Sequence, residues 1–247
     1  MFQFDQVTKQ YAKSSVKALD NLTLHVKKGE IFGFIGPNGA GKTTTIRLLN
    51  GILSADSGSI HIGGYDMAKD PLEAKRQIGF VPDNQEMYER LTGLEYLHFL
   101  ADIYQVDAVQ RKRHLEKYLP LFQLEGAARQ QIRSYSRGMK QKLTIIGALI
   151  HQPPLWLLDE PMTGLDPVAV HLLKEEMRVH CAAGNTVFFS THVLDVAEKL
   201  CDRIGIISKG KLHAVGTLDS LRSGEHGASL EDLFLQMTRE TAEEERE

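Results

Sequence analysis

Eight residues constrain this chain more than any others. Gly36-Pro37-Asn38-Gly39-Ala40-Gly41-Lys42-Thr43 matches the pattern GxxxxGK[ST]. The run before it, Ile31-Phe32-Gly33-Phe34-Ile35, is continuously apolar, and Thr44 to Leu49 after it reads as a helix. A continuous apolar run is the mark of a strand buried on both faces of a parallel sheet. Strand, glycine-rich loop and helix together form the setting in which this pattern cradles phosphate. Glycines at 36, 39 and 41 let backbone N–H groups turn inward with no Cβ in the way. The helix start adds its positive end. The expectation is that residues 36–44 bind the phosphate chain of a nucleotide. Lys42 would reach the β- and γ-phosphates, the Thr43 hydroxyl would sit on Mg²⁺, and Thr44 completes the set.

The other apolar runs extend this into a fold. Leu155-Trp156-Leu157-Leu158, Thr186-Val187-Phe188-Phe189 and Ile204-Gly205-Ile206-Ile207 read as further strands of the parallel sheet. Phe2, Phe4 and Val7, then Leu22, Leu24 and Val26, then Gly58 to Ile62, show period two instead, which predicts half-buried antiparallel strands. Helical spacing appears at Ile46, Leu49 and Leu53, and at Leu172, Leu173, Glu176 and Met177. Strands alternating with helices indicate an α/β core. From about Leu91 to Ile150 the pattern is helical only, with stripes at Leu94-Leu97-Phe99-Leu100-Tyr104 and Leu115-Leu119-Phe122, and a third helix opening at Ser136.

A second chemical feature lies at the end of one buried run. Leu155-Trp156-Leu157-Leu158-Asp159-Glu160 closes on two carboxylates, followed by Pro161-Met162-Thr163-Gly164-Leu165-Asp166. A carboxylate at a strand end beside a phosphate loop suits Mg²⁺ coordination through water, the role expected of Asp159. Glu160 would face the γ-phosphate and polarise the attacking water.

With these two elements on one chain, the sequence resembles the ATP-binding subunit of an ABC transporter from about residue 2 to residue 235. The resemblance implies a P-loop ATPase core with a mostly parallel sheet, an N-terminal antiparallel β subdomain and an inserted helical subdomain. The implied division is residues 1–84 and 152–235 for the core, 85–151 for the helical subdomain and 236–247 for an acidic tail expected to be disordered. The family's signature motif, usually LSGGQ, corresponds to Tyr135-Ser136-Arg137-Gly138-Met139, beginning its serine 23 residues before Asp159. Ser136 and Gly138 are kept, while Arg137 and Met139 depart from the commonest form. A serine cap and a glycine suit the approach of an anion to a helix N-terminus. In the family this motif meets the γ-phosphate held by the opposite subunit.

Further roles follow from the resemblance. His192, in Phe189-Ser190-Thr191-His192, resembles the histidine that contacts the γ-phosphate and joins Glu160 and Lys42 as a catalytic expectation. Asp166 matches an aspartate at the dimer interface, and Tyr11 the aromatic that stacks on adenine. Where the family usually has glutamine, Ile78-Gly79-Phe80-Val81-Pro82-Asp83-Asn84-Gln85 has Asp83. Asp83 is favoured as the Mg²⁺ sensor, with Gln85 able to reach in instead. The implied mechanism is ATP hydrolysis, with Mg²⁺, at two composite sites in a homodimer or a pair with a homologous subunit.

What the motion drives is read from exclusions and resemblance. Lys plus Arg number 29 against 32 Asp plus Glu, so the basic footprint of a nucleic-acid binder is absent and no direct nucleic-acid partner is expected. Cys181 and Cys201, without a CxxC, suggest neither a disulfide framework nor a zinc site. A spanning helix needs about 20 apolar residues. The most apolar stretch, Leu143 to Ile150, is interrupted at Thr144, and the first residues lack the pattern of a signal peptide. A separate membrane permease is therefore expected to supply the membrane part, with this chain on the cytoplasmic face of the membrane. The family's docking groove would fall at Gln85 to Arg90, with Met87 and Tyr88 as its apolar contacts. Ser229 to Thr238 and Tyr135-Ser136-Arg137-Gly138-Met139-Lys140-Gln141-Lys142-Leu143 resemble the exporter branch that handles drugs, peptides, bacteriocins or lipids. The competing reading is a soluble ABC-type ATPase acting on DNA or ribosomes; those relatives typically add a coiled-coil arm or a second ATPase unit, and these 247 residues show one motif set and no heptad arm, so the transport reading is the one expected.

Overall fold

A computed structural model describes residues 1–12, 14–84, 86–223, 231 and 234. The first part of the chain holds β1 (Phe2–Gln10), β2 (Lys17–Val26), β3 (Ile31–Ile35), α1 (Lys42–Leu49), β4 (Ser57–Ile62), β5 (Tyr65–Asp66), α2 (Pro71–Arg76) and β6 (Ile78–Val81). Three helices follow: α3 (Gly93–Ile103), α4 (Ala108–Leu121) and α5 (Arg137–Leu149). The chain then runs through β7 (Leu155–Asp159), α6 (Pro167–Ala182), β8 (Thr186–Thr191), α7 (Leu194–Leu200), β9 (Arg203–Ser208), β10 (Lys211–Gly216) and α8 (Leu218–Ser223).

The period-two segments build an antiparallel sheet of order β2-β1-β4-β5. Phe2 pairs with Val26, Phe4 with Leu24 and Val7 with Leu22. The three-residue step from Phe4 to Val7 has a local cause. The register shifts between them, and Gln6 takes a positive φ of 49°. An extra residue at a β-bulge resets the face, so Val7 points inward again.

The second sheet has order β10-β9-β3-β8-β7-β6, parallel from β9 to β6, with β10 antiparallel at its edge. Successive side chains of its inner strands enter two different cores. Leu155 and Leu157, with Phe32, Phe34 and Phe188, join Phe2, Phe4 and Ile46 between the two sheets. Trp156 and Leu158, with Ile31, Val187 and Phe189, pack instead on Leu143 and Ile146 of α5 and Leu173 and Met177 of α6. Alternation of pleat direction with a core on each face is the reason these strands read as unbroken apolar runs. Phe188 is the hub of the first core, its ring 5.2 Å from that of Phe2 and 5.4 Å from that of Phe34. Truncating such a side chain costs about 3–5 kcal/mol.

The fold is thus α/β, with an antiparallel N-terminal sheet, a mostly parallel sheet and helices α3 to α5 inserted between β6 and β7. Each inserted helix opens on a side-chain cap: Thr92 in a capping box with Glu95, Asp107 accepting from Val109 and Gln110, and Ser136 accepting from Met139. Leu97, Leu115, Leu119 and Phe122 turn inward as their spacing predicts. Phe99 differs. It is 41% exposed and meets the ring of Tyr88 edge-on at 5.7 Å, because two residues beyond Leu97 on a helix lies off the buried face.

Several polar contacts join this helical part to the sheet. Lys117 lies 2.6 Å from the buried Glu176 on α6. His114 Nδ1 donates to the Ile150 carbonyl at 2.7 Å, and His151 Nε2 donates to the Ile78 carbonyl at 3.1 Å. The Tyr104 ring stacks on His151 with centroids 3.6 Å apart. Among the described residues no helix is long and apolar enough to cross a membrane. The segment 236–247, Gln85 and most of Ser229 to Thr238 lie outside the described residues.

Candidate active site

The glycine-rich segment leaves the C-terminal end of β3 and turns directly into α1. The helix starts at Lys42, two residues before the start read from sequence, with Gly41 as its cap at φ +111°. That conformation is open to glycine and strained for any other residue. Gly36 is required for a different reason: a Cβ there would stand 2.2 Å from the Ile207 carbonyl oxygen on β9. The loop and α1 wall a cavity of about 360 Å³. Pro37, Asn38, Gly39, Ala40, Gly41, Lys42, Thr43 and Thr44 line it, joined by Tyr11, Ala18, Asp83 and Glu160. Tyr11 is held at its rim, with its hydroxyl 3.2 Å from the Thr44 hydroxyl.

Lys42 folds back into the loop. Its ammonium donates to the Gly36 carbonyl at 2.6 Å and the Pro37 carbonyl at 3.2 Å, and lies 3.8 Å from Glu160 Oε1. Burial pushes its pKa down, opposed by the carboxylates of Glu160 and Asp159. A partly desolvated ammonium lining the cavity attracts an anion more strongly than one in open water.

Asp159 ends β7 and is buried, with Glu160 next to it at the mouth. Ser190 on β8 is fully buried and serves both. Its hydroxyl donates to Asp159 Oδ1 at 2.5 Å and accepts the Glu160 N–H at 3.2 Å. Glu160 itself has a positive φ of 46°, a conformation that persists in a non-glycine residue only where its surroundings hold it. His192 Nδ1 lies 3.0 Å from Glu160 Oε1. A carboxylate only accepts, so the imidazole carries its proton on Nδ1. Glu160 therefore stands between an ammonium and an imidazole, facing the loop.

Three of the residues singled out from the sequence are placed elsewhere. Ser136 caps α5, and Gly138 lies in its first turn. Asp166 caps α6, accepts the Ala169 N–H at 2.9 Å and lies 3.1 Å from Lys142. The Ala169 N–H first, and then the Lys142 ammonium, hold the Asp166 carboxyl below the usual range. None of the three lines the phosphate-loop cavity among the described residues. Ser190 and Ala18 are the members that sequence reasoning missed. Ser190 was legible only as a lone hydroxyl in the apolar run before His192.

A second concavity, of about 750 Å³, opens on the helical part. Met87, Tyr88, Leu91 and Phe99 form its apolar floor, and Glu89, Arg90 and Arg133 its charged rim.

Comparison with known proteins gives these features a context. The ABC transporter family model matches residues 19–163. The Nod factor export ATP-binding protein I of Paraburkholderia xenovorans (strain LB400) is 37% identical over 94% of this chain and 76% of its own length. A solved structure of the ATP-binding subunit of an ABC transporter superposes with a TM-score of 0.92 at 37% identity, covering 96% of this chain and 99% of the other. A dimeric ATP-binding cassette, solved in a post-hydrolysis state bound to ADP and Pi, gives 0.78 at 28% identity over 88% and 99%.

Proposed function

The chain belongs to the ATP-binding proteins of ABC transporters and is an ATPase, and from that premise we propose that it powers export through a separate membrane permease by ATP-driven closing and opening of a two-chain assembly. The observation that carries the reading is Glu160, held at the mouth of the phosphate-loop cavity between Lys42 and His192.

In this reading the backbone N–H groups of residues 36–44, Pro37 excepted, and the Lys42 ammonium bind the phosphates, and Tyr11 stacks on the base. On phosphate binding Lys42 exchanges its carbonyl partners, Gly36 and Pro37, for phosphate oxygens. Glu160 orients and polarises the attacking water, and His192, bonded to it, contacts the γ-phosphate. The Thr43 hydroxyl and the carboxylates of Asp159 and Asp83 are oxygen donors few in number, a set that suits Mg²⁺ with retained waters. Held there, a magnesium ion would supply positive charge to the phosphate oxygens. Catalysis by such a site is positioning and electrostatics.

Ser136, Gly138 and Asp166 lie away from this cavity, which fits a role on the nucleotide of a second chain. The dimeric relative bound to ADP and Pi supports that arrangement. A homodimer or a pair with a homologous subunit would then hold two composite sites. The groove at Met87, Tyr88 and Phe99 suits an apolar segment of the permease, which would hold this chain at the cytoplasmic face of the membrane. The relative that is named for Nod factor export supports the direction of transport.

Glu160→Gln tests the reading. The variant should bind ATP and accumulate as a dimer in sedimentation velocity, while turnover falls at least about 100-fold, the scale of losing a general base. Tagged and added with ATP to detergent-solubilised membranes, it should recover a multi-spanning membrane protein in stoichiometric amount. Recovery of ribosomes or nucleic acid alone would refute the transport reading.

A further inference from the structure

Asp83 brings a negative charge to the phosphate-loop cavity from a second strand. That strand, β6, lies beside β7, with Val81 opposite Leu158. Pro82 comes next, and a proline has no N–H to continue the ladder, so the chain leaves the sheet there. Asp83 therefore comes off the C-terminal end of β6, as Glu160 comes off that of β7, where Asp159 is the last residue. Asp83 and Glu160 both line the cavity of about 360 Å³ that the glycine-rich loop walls.

The charges gathered there do not favour bare phosphate. Of the residues that line the cavity, Lys42 is the cation, and Asp83 and Glu160 are carboxylates. Buried Asp159 is close enough for its charge, like that of Glu160, to act on the Lys42 ammonium. That ammonium lies 3.8 Å from Glu160 Oε1, so part of its field is already cancelled. The start of α1 adds about half a positive charge. Three carboxylates against one ammonium and one helix end leave the site net negative. A sphere of the cavity's volume is about 9 Å across, comparable with the Debye length of about 8 Å at physiological ionic strength, so salt leaves much of the Asp83 charge in force across it.

We infer that Asp83 makes this chain selective for the metal complex of ATP over the free nucleotide: its carboxylate repels bare phosphates and attracts them when a divalent cation accompanies them. The inference rests on the reading given above, in which Thr43, Asp159 and Asp83 face Mg²⁺. One or two carboxylates plus substrate phosphates is the usual donor set for that ion, and the adjacent ends of β6 and β7 supply two carboxylates. Linkage makes the effect reciprocal. The preference of the protein for the metal complex equals the factor by which the bound nucleotide holds the ion more tightly than free nucleotide does. Asp83 is exposed, so water weakens its charge, and its share of the preference is about tenfold. The site then fills with nucleotide in the form that turnover uses, and metal-free ATP does not occupy it.

The test measures binding and needs no turnover. It uses the full chain with Asp83→Asn, which keeps the shape and loses the charge, and with Asp83→Glu, which keeps the charge. Each is titrated by calorimetry with a non-hydrolysable ATP analogue, once in Mg²⁺ and once in EDTA at matched ionic strength. Wild type should bind the analogue at least about tenfold more tightly in Mg²⁺. Asp83→Asn should lose about tenfold of that preference, chiefly through tighter binding in EDTA, and Asp83→Glu should keep it. Mn²⁺ titrated into the complex of protein and analogue, followed by electron paramagnetic resonance, should bind more weakly to Asp83→Asn by the same factor. Asp83→Asn with the wild-type preference overturns the inference. So does a preference reduced only by weaker binding in Mg²⁺, with the affinity in EDTA unchanged, because no repulsion would then have been relieved. Failure of the metal reading itself shows differently. Wild type would then bind the analogue equally in Mg²⁺ and in EDTA, whereas a failure of Asp83 alone leaves the wild-type preference intact and lets Asp159→Asn abolish it.

Discussion

Replacing Ser190 with alanine removes one oxygen atom from the interior and should weaken both stability and turnover. The hydroxyl makes two bonds, donating to Asp159 Oδ1 at 2.5 Å and accepting from the Glu160 N–H at 3.2 Å, at a fully buried position. A hydrogen bond to a charged group contributes about 1.5–3 kcal/mol, and a buried N–H left without a partner costs about 1–3 kcal/mol. The two effects share one atom, so a total of about 3 kcal/mol is the working value. For a chain of this length each kcal/mol lowers Tm by about 2–4 °C, which gives a drop of about 6–12 °C. No cavity of consequence forms, since only one oxygen is lost, so the change reports the two bonds. Asp159 and Glu160 also lose their common anchor, and kcat should fall about tenfold or more with ATP affinity retained. Calorimetry and steady-state ATPase assays on the same preparation measure both. A variant within about 2 °C of wild type, with unchanged kcat, would refute the claim that Ser190 organises the two carboxylates.

Two further outcomes follow from the same structure. Burial lowers the pKa of His151 and His180 from the usual 6.5 to about 4, so both are neutral when folded and protonated when unfolded between those values. Their stabilisation is complete above pH 6.5 and is lost as pH falls towards 4, at about 1.4 kcal/mol per pH unit for each histidine. Urea titrations at pH 7 and pH 5 should show a smaller loss of stability in the His151→Gln, His180→Gln double variant than in wild type; equal losses would rule the assignment out. At the phosphate loop, Gly36→Ala places its methyl group 2.2 Å from the Ile207 carbonyl oxygen, so β9 and the loop must separate. ATP affinity should fall at least about tenfold while the melting temperature shifts by only a few degrees, and retention of wild-type affinity would show that the loop tolerates the displacement.

The parts of this molecule that could be read from sequence are those where a local pattern and the tertiary structure demand the same residues. The continuous apolar runs at Ile31, Leu155, Thr186 and Ile204 are strands because each is buried on both faces. The glycine loop was legible because its conformation excludes side chains at Gly36 and Gly41. β6 and β10 were not assigned as strands. One is only four residues long, and the other is a half-exposed edge without clean alternation. Ser190 acquires meaning only through sheet register, which sets it opposite Asp159 across the β7–β8 pair. Gln141 and Lys142 read in sequence as a polar continuation of the Ser136 motif. Their relation to residues 161–166 depends on how α5 packs against the segment after β7, and no spacing rule in one chain encodes that approach.

The pleat of the central strands has an evolutionary consequence. Odd and even positions of β7 answer to different neighbours: Leu155 and Leu157 to the antiparallel sheet and α1, Trp156 and Leu158 to the inserted helices and α6. A change of side-chain volume on α5 or α6 is met first by Trp156, Leu158, Val187 and Phe189, the residues of the sheet that share their core. The aromatic layer of Phe2, Phe4, Phe32, Phe34 and Phe188 lies in the other core. The sheet thus separates the packing of two cores, so substitutions that change volume on one face can accumulate without a matching change on the other.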